Sequence, residues 1–383
     1  MRGDLTLAVD IGTSSCKIGV YDRKGELLFA AKRDYPSFSP QPSFAEQDPK
    51  DILRNISEAV KEAVEQYTPH SFAILAFDTM LHSTIFIDRE GNPLYPLLNW
   101  MDTRSAGEVE ELQGEYQAHG FYFRNGVPLH TIYHLPRVFW FRKNKPHILH
   151  ETWKIVAIKD WILWKLTGVL LCDYSTASGT GFLNLSQCEW DAEILEMADF
   201  PVEKLPELCE PEHVAPLQDS EFQRETGLPV ALPVIWGGGD GPYANLGEGM
   251  FRQGEMVVTV GSSGAVRMCD RKPVFDPAGR CWCYYLADGI WVAGGGINNG
   301  GIVYSWMKDI VGESDCWEID LHRPRPLFLP FLTGERSPNW DAYARGVLFG
   351  LSYFHDRDAL MQSTFEAVAF RIRSIEEMLQ RVV

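Results

Sequence analysis

At 383 residues the chain is too long for one ordinary domain and long enough for two, each with a sizeable core. Hydrophobic residues make up 45% and charged residues 23%, the composition of a soluble globular protein. Asp plus Glu (52) outnumber Lys plus Arg (35), and the resulting formal charge of −17 argues against sequence-independent binding to nucleic acid or to an anionic membrane surface.

Residues 5–11 (LTLAVDI) read as a buried strand that ends at a Gly turn, 16–21 (CKIGVY) as a second strand, and 26–33 as a third beyond a turn at Asp22 to Gly25. A helix is predicted next. Asp48 is suited to the N-cap, Pro49 to the first helical position and Asp51 to the positive end of the dipole. Behind them Ile52, Leu53, Ile56, Val60, Ala63 and Val64 recur at helical spacing. Residues 72–77 and 84–87 read as strands, 153–167 as one buried helix, and the stretch from Ala359 to Leu379 as a closing helix with an apolar stripe. Strands alternating with helices predict an α/β class. Eight cysteines with no CxxC, and only Cys281 and Cys283 close together, fit a reducing compartment and no disulfide or zinc framework. Met1-Arg2-Gly3-Asp4 runs straight into a strand, so no signal peptide is expected. No apolar run has the length of a membrane span, and a cytoplasmic location is expected.

An internal echo organises the chain. Residues 9–18 (VDIGTSSCKI) and 258–267 (VTVGSSGAVR) align with Ile11-Gly12-Thr13-Ser14 over Val260-Gly261-Ser262-Ser263. Each is a strand, a Gly-hydroxyl turn and a strand. The polar, Gly-rich segment from Gly249 to Glu255 reads as the join between two related domains, 1–247 and 248–383.

Several residues have the chemistry of a site. In the first turn, Gly12 lets the backbone approach an anion, while Thr13 and Ser14 add hydroxyl donors. Asp10 beside them is suited to hold Mg²⁺ through water. An ordinary hairpin turn with local Ser/Thr bonding is the other reading. Asp240 stands among four glycines, Gly237, Gly238, Gly239 and Gly241. Such a carboxylate either accepts a proton from a substrate hydroxyl or is simply solvated in a loop. Asn298, in the run GGGINNGG, either bonds a sugar hydroxyl or caps a turn. His82, after an apolar run, is either a core histidine or a site residue. Trp100, Asp102 and Arg104 alternate, so on an extended segment they would share one side, as a wall, an acceptor and a donor fork for a polyol. The alternative is a surface Asp–Arg pair beside a core Trp. The segment GERSP at 334–338, before Trp340, reads equally as a hinge salt bridge or as part of a cleft.

Taken together, these segments resemble the FGGY family of carbohydrate kinases. The resemblance runs through DIGTSSCK, AEQDP at 45–49, MLHS at 80–83, NWMDTRS at 99–105, IKDWILWKLTG at 158–168 and ASGTGFLNL at 177–185. It continues through GGDGPYANLG at 238–247, VGSSGA at 260–265, GGGINNGGIVYSW at 294–306 and GERSPNWDAYARGVLFGLS at 334–352. Within the family the chain looks most like gluconokinases, and xylulokinases share much of the pattern.

The resemblance implies an actin/hexokinase-like (ribonuclease H-like) α/β fold with two domains around a central cleft. It implies ATP-dependent phosphorylation of the terminal primary hydroxyl of a sugar acid, gluconate first, or of a ketose such as xylulose. A catalytically silent sugar-binding relative is the reading of another class. Asp240 matches the catalytic aspartate. Gly12, Thr13, Ser14, Lys17, Gly261, Ser262 and Ser263 fall at phosphate-holding positions, with Mg²⁺ near Asp10. Leu81, His82, Trp100, Asp102, Arg104 and Asn298 fall on the sugar side, Leu81 where relatives commonly carry Met. The implied partner is a small sugar or sugar acid, with no nucleic acid or membrane, and a homodimer is the expected assembly. The family continues into a Gly-rich adenosine-binding segment that nothing here matches, so the second domain is expected to be incomplete, ATP binding weak and the apolar stripe at 359–379 exposed. The stretch from Trp306 to Phe331 is short for the family, which usually has a further helix there.

Overall fold

The computed structural model describes residues 3–312, 322–341 and 343–383. They form two units, one of residues 1–244 with 284–289, the other of residues 245–283 with 290–383. The expectation about the stretch 306–331 falls partly on residues 313–321, outside the described residues.

The first unit is built on a six-stranded sheet. Strands β1 (Leu5–Ile11), β2 (Ser15–Tyr21) and β3 (Leu27–Asp34) are antiparallel neighbours. Helix α1 (Pro49–Gln66) follows, capped by the Asp48 carboxylate, which accepts from the Lys50 amide, with Pro49 in its first turn. Its inward face, Ile52, Ile56, Val60 and Ala63, is 0–1% exposed, and each buried Ile or Val side chain there contributes about 1.5–3 kcal/mol. Strand β4 (Phe72–Thr79) then runs parallel to β1. Two short strands, β5 (Val214–Pro216) and β6 (Pro233–Ile235), complete the order β5-β6-β4-β1-β2-β3. Leu7, Val9 and Ile11 of β1 lie in the core among side chains from α1, β4 and the later helices.

The stretch 153–167 is not one helix. Lys154–Val156 is a short strand paired with Ile85–Ile87, and helix α2 (Ile158–Thr167) begins only after Ala157. Ala157 is extended at φ −78°, ψ 164°, and the Asp160 carboxylate accepts its amide at 3.1 Å. That cap starts the helix five residues later than the apolar run does.

Strands β7 (Met256–Val260), β8 (Gly264–Asp270), β9 (Trp282–Ala287) and β10 (Ile290–Ile297) form a second sheet in the order β7-β8-β10-β9. The glycine run 294–296 lies inside β10, with Gly294 against the Trp282 ring. Helices α3 (Gly301–Val311) and α4 (Arg357–Leu379) pack on each other, and α4 also packs on β8 and β10. The α4 stripe is not laid open as expected: Ala359, Ile375, Met378 and Leu379 are 0–3% exposed. The helix buries Gln362, Ser363 and Thr364 as well, and its exposed aromatic is Phe370.

The cysteines among the described residues are all free thiols. Among those residues no helix is long and apolar enough to cross a membrane.

Candidate active site

Sheet register lines up the first charges. Asp10 in β1 faces Lys17 across the antiparallel pair and Asp78 across the parallel pair. Register partners project from the same side of a sheet, so the three form a row. Lys17 Nζ donates to Asp10 Oδ2 at 2.8 Å. That hydrogen bond, with the charge of Asp10 and then of Asp78 and Asp240, holds the lysine ammonium above its ordinary pKa. Lys17 is 62% exposed, so the pair adds little stability. Asp78 lies deeper, and its Oδ1 is buried without a hydrogen-bond partner among the described residues. Burial first, then the carboxylates of Asp10 and Asp240, push its pKa up to about 8 against the pull of Lys159.

The turn after β1 is braced on its carbonyl side. Gly12 O accepts from the Tyr35 hydroxyl, Thr13 O from Gln47 Nε2 at 2.8 Å, and Ser14 O from the Tyr35 amide at 3.0 Å. Trp100 Nε1 donates to Thr13 Oγ1 at 2.9 Å. These bonds tie down the carbonyls of the turn, and the Gly12 amide donates to Ser15 O at 3.1 Å. In the second unit, Gly261-Ser262-Ser263 closes with Gly261 N to Ser263 O at 2.8 Å. The first amides of α3 donate to its carbonyls, Gly301 N to Gly261 O at 2.7 Å and Gly300 N to Ser262 O at 3.0 Å.

Asp240 opens an eight-residue helix directly after its glycines, and Gly241 N donates to its Oδ1 at 2.7 Å. Packing requires glycine at 237 and crowds 239. Gly237 has φ +63°, and a Cβ there would meet the Phe77 carbonyl at 1.7 Å. A Cβ at Gly239 would meet the Leu81 side chain at 2.3 Å. The Asp240 loop is therefore pressed onto the end of β4, with Thr79 N bonded to Gly238 O at 3.1 Å. Lys159, fully buried, holds it from behind: Nζ donates to Asp173 Oδ2 at 2.6 Å and to the carbonyls of Trp236 (3.1 Å) and Gly237 (2.8 Å). The Asp173 carboxylate in turn caps the helix at Tyr174–Ser178, and Ser175 Oγ accepts from Gly239 N at 3.1 Å.

Leu81 and His82 adjoin this loop. Leu81 also packs on Gly179, and His82 Nδ1 lies 2.7 Å from Gly179 O. His82 has φ +67°, a left-handed conformation that costs a non-Gly residue of order 1 kcal/mol or more. Arg137 holds it there. This fully buried guanidinium donates to His82 O at 2.6 Å, Thr84 Oγ1 at 2.7 Å and Asn99 O at 2.7 Å. Burial lowers its pKa to about 10. The imidazole meets Tyr133 edge-on at 5.3 Å and Tyr284 at 5.8 Å, and the two tyrosine hydroxyls are 3.0 Å apart.

Trp100, Asp102 and Arg104 do not share a side, because the segment turns and is not extended. Trp100 is 37% exposed, while Asp102 and Arg104 are buried. Arg104 bonds Asp102 through Nε at 2.8 Å and Nη2 at 2.7 Å, and Glu46 at 2.6 Å, and it stacks on Phe44. Asp102 also accepts the Ala45 amide at 2.8 Å. Instead of a surface pair beside a core Trp, the ion pair is core and the Trp is on the surface. In the second unit Asn298 Nδ2 donates to Thr333 O at 3.1 Å and Asn299 Nδ2 to Gly334 O at 2.7 Å. In the GERSP segment, Glu335 pairs with Arg371 of α4. Asp78, Lys159, Arg137 and Tyr133 belong to this neighbourhood, although the sequence reading did not single them out. Asp78 had one signal, a carboxylate at the end of an otherwise apolar parallel strand.

The model of the FGGY family of carbohydrate kinases, N-terminal domain, matches residues 5–247, and that of the C-terminal domain matches residues 256–382. The gluconokinase of Bacillus subtilis (strain 168) is 32% identical over 96% of this chain and 75% of the relative. A ligand-bound xylulose kinase from Lactobacillus acidophilus superposes with a TM-score of 0.93 at 28% identity, covering 98% of this chain and 78% of that one. A gluconate kinase from the same organism gives 0.90 at 27% identity, with the same coverage. The chain belongs to the FGGY family of carbohydrate kinases, ATP-dependent phosphotransferases with an actin/hexokinase-like two-domain α/β fold.

Proposed function

We propose that the chain transfers the γ-phosphoryl group of ATP to the terminal primary hydroxyl of a sugar acid, with gluconate the first substrate. Asp240 accepts the proton of that hydroxyl as its oxygen attacks in line. Its Oδ1 is oriented by the Gly241 amide, and its loop is packed against Leu81. Leu81 and His82 line the sugar position beside it, with Trp100 as an exposed flat wall and Asp102 and Arg104 as the framework beneath. In the second unit, Asn298 is the candidate polar contact for a sugar hydroxyl.

In the first unit Thr13 and Ser14 beside Gly12 offer hydroxyls to phosphate oxygens and Lys17 adds positive charge; in the second unit Gly261, Ser262 and Ser263 are the corresponding phosphate-holding turn. Asp10 fits a Mg²⁺ role with Asp78, whose buried Oδ1 lacks a partner among the described residues. No cluster of three metal-ligating side chains occurs among them. That suits a cation that takes one or two carboxylates and leaves its other positions to phosphates and water. When bound, Mg²⁺ neutralises charge on the phosphate oxygens. The chain's own residues position the hydroxyl, hold the tail and remove the proton.

The observation that carries this reading is Asp240, held at a helix start behind Gly237, whose left-handed backbone and approach to the Phe77 carbonyl admit no side chain. A xylulokinase-type reading keeps the mechanism and changes the acceptor, and the similarity to the xylulose kinase supports it. A coupled ADP-release assay with gluconate, xylulose and glycerol separates the readings. Gluconate is expected to give the highest kcat/KM, and preference for a neutral polyol would reject the gluconate assignment.

A further inference from the structure

Between β6 and the helix that starts at Asp240, residues 236–239 follow no regular element, yet their backbone is bonded on several sides. Trp236 N donates to His213 O at 3.0 Å, Gly237 N to Pro211 O at 2.8 Å, and Gly238 O accepts from Thr79 N at 3.1 Å. Two side chains add to the set. Lys159 Nζ donates to Trp236 O and Gly237 O, and Ser175 Oγ accepts from Gly239 N. Both side chains depend on one carboxylate. Asp173 Oδ2 takes the remaining donor of the Lys159 ammonium at 2.6 Å. Its Oδ1 accepts from Thr176 N at 2.9 Å, the cap that sets Ser175 in the first turn of its helix. An ammonium has three donors, and here an acceptor meets each. Lys159, Asp173 and Ser175 are 0% exposed, and they lie in the first unit with Asp240. Packed apolar residues would hold a core at least as well as a buried ion pair does, so stability alone does not account for this one.

We propose that Lys159, Asp173 and Ser175 form a latch that sets the position of the Asp240 carboxylate, and so govern the rate of phosphoryl transfer without touching the substrate. They are positioning residues, and the inference rests on the reading of Asp240 as the base. The latch grips the chain where it turns. Gly237, at φ +63°, offers its carbonyl to Lys159 and its amide to Pro211 O. Two residues on, Ser175 fixes the amide of Gly239, the residue before Asp240. Peptide units are planar, so holding the Gly237 carbonyl and the Gly239 amide orients the planes that lead into the helix. Gly238 is packed between the two holds: a Cβ there would meet Ser175 Oγ at 2.8 Å and the Tyr243 ring at 2.2 Å. Proton removal and in-line attack depend on placement, and an error of about 1 Å costs about 10²-fold in rate. The charge of Lys159 is thus used on two carbonyls behind the base, with Asp173 as its counter-charge.

The test compares the 383-residue chain with Ser175→Ala, Lys159→Met, Asp240→Asn, and Ser175→Ala combined with Asp240→Asn. Ser175→Ala removes one hydroxyl and keeps the ion pair, so it serves where Lys159→Met fails to fold. Hydrogen exchange needs no turnover: in Ser175→Ala it is expected to quicken about three- to tenfold over residues 236–243 and to keep its wild-type rate in β1. With gluconate or xylulose as acceptor, kcat is expected to fall about three- to tenfold for Ser175→Ala and about 10²-fold for folded Lys159→Met. KM for the acceptor and for ATP is expected to stay within about twofold. On the Asp240→Asn background, Ser175→Ala is expected to cost less than about twofold, because the group it positions is gone. Unchanged exchange at 236–243, a wild-type kcat for Ser175→Ala, an equal loss on both backgrounds, or KM rising in step with the fall in kcat would each overturn the proposal. The two readings fail separately. Wild-type turnover in Asp240→Asn sinks the base assignment and the latch with it, whereas turnover lost in Asp240→Asn but kept in Ser175→Ala sinks the latch alone.

Discussion

Replacing Asp78 by Asn probes the row Lys17–Asp10–Asp78 directly. An ordinary Asp ionises near 3.8, whereas burial and its carboxylate neighbours push Asp78 up to about 8. Between these pH values the folded chain keeps a proton that the unfolded chain has lost. The wild-type fold therefore loses stability as pH rises from about 4 to about 8, and no further above that. A difference of about four pH units, each worth about 1.4 kcal/mol, sets a ceiling of about 6 kcal/mol. That shift already contains the pull of Lys159; water entry on relaxation relieves a further part, so about 2–3 kcal/mol is expected. Asn keeps the shape, stays neutral and can donate to Asp10. Asp78→Asn should match wild type at pH 4 and exceed it by about 2–3 kcal/mol at pH 7, with no loss of that gain at pH 9. Urea titrations at the three pH values, with m unchanged, measure this. A gain of equal size at every pH, or a loss at pH 9, would refute the buried-carboxylate argument.

Other residues give separate expectations. Lys159→Met leaves Asp173 buried without its cation and should cost about 3–5 kcal/mol in a urea melt. Arg137→Lys keeps the charge but loses the fork that holds the His82 carbonyl; KM for the sugar should rise about tenfold with a smaller change in KM for ATP. Trp100→Phe keeps the flat wall but removes the bond to Thr13 Oγ1, so KM for ATP should rise more than KM for the sugar, by about three- to tenfold.

Much of the fold was legible where local rules agree with packing. Asp48, Pro49 and the spacing of Ile52, Ile56 and Val60 define α1 without tertiary knowledge. The strand–turn–strand at Asp10 to Lys17 is equally local. The break at Ala157 was not legible, because a strand pairing with Ile85–Ile87 overrides a continuous apolar run. Alternation at Trp100, Asp102 and Arg104 misled because it assumes an extended backbone, and the segment turns. In the site, Asp240 and His82 stood out by their glycines and by an apolar approach. Asp78, Lys159 and Arg137 gain meaning only from non-local neighbours: a parallel strand, the Trp236 and Gly237 carbonyls, and the His82 carbonyl. No spacing along the chain encodes those contacts.

The central claim is that one carboxylate, held among glycines, activates a sugar hydroxyl for attack on ATP. Asp240→Asn, compared with wild type for 6-phosphogluconate formation by phosphorus NMR and for gluconate binding by calorimetry, tests it most directly. The account predicts that kcat falls about 10²–10⁴-fold while gluconate affinity stays within about threefold. Turnover kept at the wild-type rate, or gluconate binding lost in step with turnover, would contradict it.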